Sequence, residues 1–358
     1  MNKIKFLASI AFAFIASYSF SQGCMGGGGD VVGVHGFIQP QYSYYLNGTD
    51  ADGNSLDQNN FNFNRARIGV VGEIPYDIEY YFFIEASSFK SPAELPHMLD
   101  AYVSYTRFGK WAKISLGQFK SPFGLEQNTA CSGLFTVNRS EVTAQLAGPQ
   151  RDLGVLISGG DNESLLKYSV GLMNGTGMNV VEDDNINKHI VGRLVVNPLK
   201  FLSVGGSFRY GKINPTDLTE PLNEIMRYAG EIHVHHNGIL FQAEYIQGQD
   251  ELFSTTRIPI YGGCGGIVGF DTKQPGTYTK SGLMVMAAYK TNWNVEPVVK
   301  FDYWNSDHSV SDATTNYLTF GINYYVNDYS RVQVNYVNVQ ESVAEVNDMI
   351  VLQLQAKF

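Results

Sequence analysis

Asn347-Asp348-Met349-Ile350-Val351-Leu352-Gln353-Leu354-Gln355-Ala356-Lys357-Phe358 is the segment that decides the fold. Ile350, Leu352, Leu354, Ala356 and Phe358 fall on one face of an extended chain, and Val351, Gln353, Gln355 and Lys357 on the other. Side chains of a strand alternate between faces, so this is period-2 patterning that ends on an aromatic.

The same alternation recurs upstream. Strands are expected near 32–46, 60–74, 77–88, 97–108, 111–120, 151–160, 165–174 and 188–198, and again near 201–212, 226–236, 238–250, 278–291, 293–306, 315–327, 330–342 and 348–358. That makes sixteen strands, an even number, as an antiparallel barrel needs to close on itself. In lipid, closure is compulsory, because an open edge leaves backbone groups unpaired. The chain end therefore resembles the closing strand of a Gram-negative outer-membrane barrel. The expected fold class is all-β: a transmembrane antiparallel β-barrel of about 16 strands with one long inward-folding loop.

Composition agrees. Aromatics make up 13% of the chain, with 22 Tyr and 22 Phe, whereas charged residues are only 16%, below the roughly 25% of soluble domains. After the N-terminus no apolar run approaches the ~20 residues of a membrane helix. A barrel needs none, since only alternate residues meet lipid. A soluble β-sandwich would hide one sheet face in a core; the strand count and the N-terminus weigh against it.

Residues 1–21 have the layout of a secretory signal peptide: Lys3 and Lys5, an apolar stretch from Phe6 to Ala16, and the small-x-small site Ser19-Phe20-Ser21. A Gly-rich leader follows at 22–30, and a single barrel domain at 31–358. Cleavage removes two positive charges and takes the formal charge from −9 to about −11, which argues against nucleic acid as a partner. Cys24, Cys131 and Cys264 cannot all pair, so this is no disulfide scaffold. Cys264, in Gly262-Gly263-Cys264-Gly265-Gly266, belongs to a flexible loop.

Short and long links alternate. Asn197–Lys200, His236–Gly238, Thr291–Asn294 and Asn327–Tyr329 read as tight turns, and 47–59, 121–150, 175–187, 213–225, 251–277 and 307–314 as long polar loops. Short turns on one rim and long loops on the other are the outer-membrane asymmetry. The 121–150 stretch is long enough to fold inward and narrow a channel, and long loops in compact folds carry function.

Strand faces follow from the pattern. Phe61, Phe63, Arg65, Arg67, Gly69, Val71 and Glu73 share one face, and the arginines assign it to the lumen. Asp77, Glu79, Tyr81, Phe83 and Glu85 are lumenal in the next strand, with Ile78, Tyr80, Phe82, Ile84 and Ala86 toward lipid. Leu318, Phe320, Ile322, Tyr324 and Val326 alternate with Tyr317, Thr319, Gly321, Asn323 and Tyr325. The many aromatics suit girdles at both membrane interfaces.

With these pieces the chain resembles the phosphate-selective porin O and P family. The most specific segment is Gly117-Gln118-Phe119-Lys120-Ser121-Pro122-Phe123-Gly124-Leu125-Glu126; 64–72, 99–105, 151–159, 172–177 and 183–193 support it in order and spacing. The resemblance implies a sixteen-stranded homotrimer in the outer membrane, with an inward loop and no cofactor. It also implies outer-membrane lipid, lipopolysaccharide and small hydrophilic solutes or anions as partners. Anion-selecting members use lumenal Arg and loop Lys residues, which here match Arg65, Arg67, Lys120, Arg139 and Arg151. The segment Asn138-Arg139-Ser140 departs from the family, lacking an acidic residue before the arginine and with it an expected ion pair.

Guanidinium groups can replace the hydration shell of an anion through charge-assisted hydrogen bonds, and transport favours several weak sites over one tight site. In the competing reading these arginines pair with Glu73, Glu79, Glu85 or Asp100, stiffening the wall of a broad pore. Pro122 and Gly124 end a strand and turn the chain into the long loop, placing Lys120 at the loop root, as a pore charge or a solvated rim lysine. His233 and His235 share a face and His236 opposes them, which makes at most half a metal site; a rim cluster fits better. No nucleophile, base and orienting group stand in register, and no phosphate-cradling glycine loop is present, so catalysis is not expected. The expected function is passive diffusion of small hydrophilic solutes, anions or phosphate among them. A non-conducting receptor, adhesin or scaffold is the alternative, and a solute guided by lumenal Tyr and Phe is another version of the pore.

Overall fold

The computed structural model describes residues 32–358 apart from 50, 51, 53, 88–96, 162, 181, 262–266 and 342–345. The signal peptide at 1–21, the Gly-rich leader at 22–30, Cys24 and Cys264 lie outside the described residues. The remainder is a closed antiparallel barrel of sixteen strands.

In chain order these are β1 (Val32–Leu46), β2 (Gln58–Ile74), β3 (Ile78–Glu85), β4 (His97–Tyr105), β5 (Lys113–Lys120), β6 (Arg151–Gly159), β7 (Leu166–Met173), β8 (His189–Leu199), β9 (Leu202–Ile213), β10 (Asn223–His236) and β11 (Ile239–Leu252). A separate hairpin of β12 (Thr256–Tyr261) and β13 (Ile267–Lys273) intervenes. The barrel resumes with β14 (Gly276–Tyr289), β15 (Val295–Asn305), β16 (Thr314–Tyr325), β17 (Ser330–Glu341) and β18 (Asp348–Lys357). Each barrel strand pairs with its sequence neighbours, β11 pairs with β14 across the hairpin, and β18 returns to β1.

The closing seam explains the C-terminal pattern. Tyr42 stands opposite Leu352 and Phe37 opposite Lys357. Val351, Gln353 and Gln355 are buried inside, while Ile350, Leu352, Leu354 and Phe358 are exposed outside, where lipid covers them. Gly36 and Phe358 exchange two backbone hydrogen bonds of 2.9 and 3.0 Å. A Cβ at Gly36 would sit 2.6 Å from the Phe358 ring and 2.4 Å from the Arg67 carbonyl, so the seam needs glycine there. Deleting Phe358 removes both hydrogen bonds and should cost about 1–3 kcal/mol. The expected readout is a lower urea midpoint for the folded, heat-modifiable band on a gel.

Two expectations change. Phe61 and Phe63 do not share the lumenal face of Arg65 and Arg67. The β1–β2 register shifts between Gln39 and Pro40, which pair with Arg65 and Phe63, so Asn64 is an extra residue. One extra residue inverts the alternation: Phe61 and Phe63 point outward, and Phe61 packs against Tyr42 at 4.8 Å. The 251–277 segment is not merely a polar loop, because it carries the β12–β13 hairpin. The other face assignments hold within the strands, except that Asp77 lies in the turn before β3 and Ala86 beyond its end. Thr319 and Asn323 are buried inside, and Phe320, Ile322 and Tyr324 are exposed outside.

The largest apolar cluster lies inside the barrel, where the 121–150 loop meets the wall. Phe119, Phe123, Val142, Leu146, Met284 and Ile246 are its centre. The loop therefore folds inward and has its own small core. It contains α1 (Leu125–Asn128), a 3₁₀ turn (Cys131–Gly133) and α2 (Glu141–Leu146).

Candidate functional site

The loop enters the lumen through the Gly117–Glu126 segment. Gly117 has φ 136° and Gly124 φ 74°, conformations that side chains resist. A Cβ at Gly124 would lie 2.3 Å from Glu244 Oε1. That contact is an anchor: Glu244, fully buried on β11, accepts from the Leu125 N–H at 2.7 Å and the Glu126 N–H at 3.0 Å. The Gly124 N–H donates to Ser207 Oγ at 3.0 Å. Arg209 donates to Ser121 Oγ and lies 5.5 Å over the Phe123 ring.

The far side of the loop is tied to β16–β18 by side-chain amides. Asn323 donates to the Phe135 carbonyl at 2.9 Å. Asn335 Oδ1 accepts from the Val137 N–H at 2.7 Å, and Gln355 donates to the Ser132 carbonyl at 3.2 Å. The loop thus reaches from β9–β11 to β16–β18 and crosses the lumen. Several of its buried backbone groups find partners on the wall, as an ordered constriction requires.

The cations gather on one side of this crossing. Arg65 is fully buried and donates from Nη1 to Gln39 Oε1 at 2.9 Å and the Val137 carbonyl at 3.3 Å; its Nε and Nη2 have no hydrogen-bond partner. Arg67 pairs with Glu85 at 2.6 Å and donates to Cys131 Sγ at 3.1 Å. Arg139 lacks the acidic neighbour expected at position 138 but is fixed by other partners. It donates to the carbonyls of Glu126 and Thr129 at 3.0 and 2.9 Å, and to Cys131 Sγ at 3.4 Å. The Glu126 carboxylate instead accepts from the N–H and hydroxyl of Ser140 at 2.7 and 2.6 Å.

Arg151 reaches Asp100 through Nε and Nη2 at 3.1 and 3.2 Å, a fork on a carboxylate. Lys120 ends β5 at the loop root and donates to the Thr129 carbonyl at 3.4 Å.

All five candidate cations converge on the constriction, as do Glu85 and Asp100. Glu79 lies farther toward the short-turn rim and pairs with Lys113. Glu73 is exposed at that rim, in register with Glu79 rather than beside an arginine, so it does not join the wall pairs. His233 and His235 are 6.4 Å apart, near the short-turn end, and His236 packs outward on Phe201. Among the described residues no group of three or more His, Cys, Asp or Glu side chains could hold a metal ion.

Besides the anchoring Ser207, Arg209 and Glu244, three participants escaped the sequence reading. Arg331 on β17 donates to the Ser132 carbonyl and to Gln355 Oε1, both at 3.1 Å. Lys300 on β15 donates to the Asn138 carbonyl at 3.1 Å. Both fall in the lumenal phase of their strands, as alternation with Gln333, Asn335 and Asp302 signals. Cys131, a free buried thiol, is the third. Burial pushes this thiol up, but Arg139, Arg67, Arg65 and Lys120 outweigh burial and hold it well below its usual value. A thiolate there would neutralise part of the cation cluster. Cys131→Ser should therefore raise the chloride-to-potassium permeability ratio at alkaline pH, measured as reversal potential. The difference from wild type should shrink as acid protonates the thiol.

A pore lined by charge and narrowed by an anchored loop, inside an apolar-walled barrel, defines an outer-membrane diffusion porin. Comparison with known proteins agrees. The model of the family "Phosphate-selective porin O and P" matches residues 38–220, just over half of the chain. The chain belongs to that family.

Among solved structures it is similar to an anion-selective porin from Comamonas acidovorans (TM-score 0.66, 11% identity, 92% of this chain and 100% of that one). It is similar also to the outer membrane channel DcaP of Acinetobacter baumannii (0.64, 14%, 94% and 99%) and to OmpT of Vibrio cholerae in trimer form (0.63, 9%, 92% and 100%). At these identities the likeness is one of fold. No match is found among curated proteins. The protein is an outer-membrane porin that passes small solutes by diffusion, a transport barrel rather than an enzyme.

Proposed function

We propose that the pore favours anions, inorganic phosphate among them. One observation carries this reading. Around the loop crossing, Arg65, Arg67, Lys120, Arg139, Arg151 and Arg331 gather on one side of the lumen, where Glu85 and Asp100 are the carboxylates paired with cations of this group. An anion entering this stretch exchanges hydration for guanidinium donors. The donors are spread over four strands, β2, β5, β6 and β17, and the loop, which suits stepwise passage over weak sites. The acidic overall charge does not oppose this, because selectivity is set where the pore is narrowest.

Arg67–Glu85 and Arg151–Asp100 serve the wall as well as the pore, so the two readings of these arginines are complementary. Arg65 and Lys120 have no carboxylate within ion-pair distance among the described residues, so their charge is left for the permeating ion, Lys120 from the chamber wall and the fully buried Arg65 through its field alone.

In this reading the chain is exported by residues 1–21 and assembles as a homotrimer in contact with lipid and lipopolysaccharide. OmpT of Vibrio cholerae, similar in fold, is described in trimer form. Mass measurement of the purified barrel in detergent tests the trimer; a monomer would refute it.

The pore is tested in planar bilayers by adding phosphate to a chloride current. The expected result is block by phosphate that weakens several-fold in Lys120→Gln. Steps indifferent to phosphate would leave a general porin.

A further inference from the structure

On the short-turn side of the loop the lumen widens into a chamber of about 590 Å³. Its wall combines two chemistries. A row of rings runs across β1, β3, β4 and β5. His35 stacks on Phe83 at 5.2 Å and 11°, Phe83 meets Tyr81 at 5.9 Å, and Tyr81 stacks on Tyr102 at 5.3 Å and 17°. The Phe119 ring abuts Tyr102 edge-on at 6.3 Å. Phe83 and Phe119 are buried within the row, whereas Tyr81 and Tyr102 keep part of their surface toward the chamber. Facing the same space is Lys120, which has no carboxylate within ion-pair distance among the described residues. The neighbouring carboxylates are already engaged, Asp100 by Arg151 and Glu85 by Arg67.

We propose that this chamber is a binding station for planar aromatic carboxylates, the ring lying against Tyr81 and Tyr102 and the carboxylate reaching Lys120. The proposal rests on the anion reading above and narrows it to a solute class. Flat rings prefer offset or edge contacts with other rings over equivalent contacts with a puckered aliphatic ring. A lysine beside them orients the charged end and disfavours cations. The chamber has room for a one- or two-ring solute with water. A single row of rings and a lysine whose one hydrogen bond, to the Thr129 carbonyl, is long at 3.4 Å make a weak site, which is what permits release.

The test uses the full barrel in two assays. In the first, saturation-transfer NMR on protein in detergent micelles compares 4-hydroxybenzoate with cyclohexanecarboxylate and benzylammonium. In the second, the same compounds are titrated against the chloride current in planar bilayers. The expected result is that 4-hydroxybenzoate binds and blocks about five-fold more tightly than cyclohexanecarboxylate, and that benzylammonium does neither. Tyr81→Leu/Tyr102→Leu should erase the preference, Tyr102→Phe should keep it, and Lys120→Gln should weaken both carboxylates alike. If the double variant fails to fold, Tyr102→Leu alone carries the comparison. Equal block by the two carboxylates, or a preference untouched by the tyrosine changes, overturns the station while leaving an anion-selective pore in place. A cation-side reversal potential would instead overturn the anion reading, whatever the NMR assay returns.

Discussion

Glu244→Ala should turn a narrow channel into a wide, noisy one. The Glu244 carboxylate is fully buried and accepts from two successive backbone N–H groups at the start of α1. Alanine leaves both donors buried without a partner, a cost of about 1–3 kcal/mol for each. That cost falls on the loop rather than the barrel, because the wall strands keep their ladder hydrogen bonds. The loop should therefore spend more time off the β9–β11 wall. Single-channel recording should show larger open steps, with rapid fluctuations absent from the wild type and reduced selectivity. Glu244→Gln retains one acceptor oxygen and should fall between the two. Unchanged conductance in a folded Glu244→Ala protein would mean that the amide ties to β16–β18 suffice to hold the loop.

The second large effect is expected at Arg67. Its guanidinium pairs with Glu85 at 2.6 Å with both side chains buried, and Glu85 also accepts from the Ala66 N–H at 2.8 Å. Arg67→Met leaves a buried carboxylate without its cation, a loss of about 3–5 kcal/mol in comparable pairs. The double variant Arg67→Met/Glu85→Gln should recover much of that stability, since no lone charge remains. Urea denaturation of the heat-modifiable band separates the two. Selectivity should behave differently: the single variant loses a pore cation and gains an unpaired anion, whereas the double variant is close to neutral. Stability and selectivity therefore respond separately to the two changes, which a role confined to stiffening the wall does not predict.

How much of this was legible in the sequence depends on the distance over which residues act. Alternation is local, so the sixteen strands and their faces emerge from patterns such as Ile350 to Phe358. The bulge at Asn64 is also local, but Asn62 and Asn64 are both polar and the inserted residue leaves no mark on the pattern. The β12–β13 hairpin was hidden for another reason. Pro259 interrupts a short run that contains Ile258 and Ile260, and proline argues against a paired strand. The site depends on which strands lie side by side and at what height. Arg331 falls in the lumenal phase of its strand, yet its approach to Ser132, 199 positions away, follows from barrel register and loop path. Cys131 looked like an odd thiol because its partners Arg67 and Arg139 come from different segments. The absence of an acidic residue before Arg139 suggested a weakly held side chain, but backbone carbonyls and the sulfur supply the contacts.

The most direct test of the account is the zero-current potential of the reconstituted porin across a tenfold potassium chloride gradient. The cation cluster predicts a potential on the chloride side, moving toward zero in Arg65→Gln/Lys120→Gln. A potential on the potassium side, or one that the double substitution leaves unchanged, would contradict it.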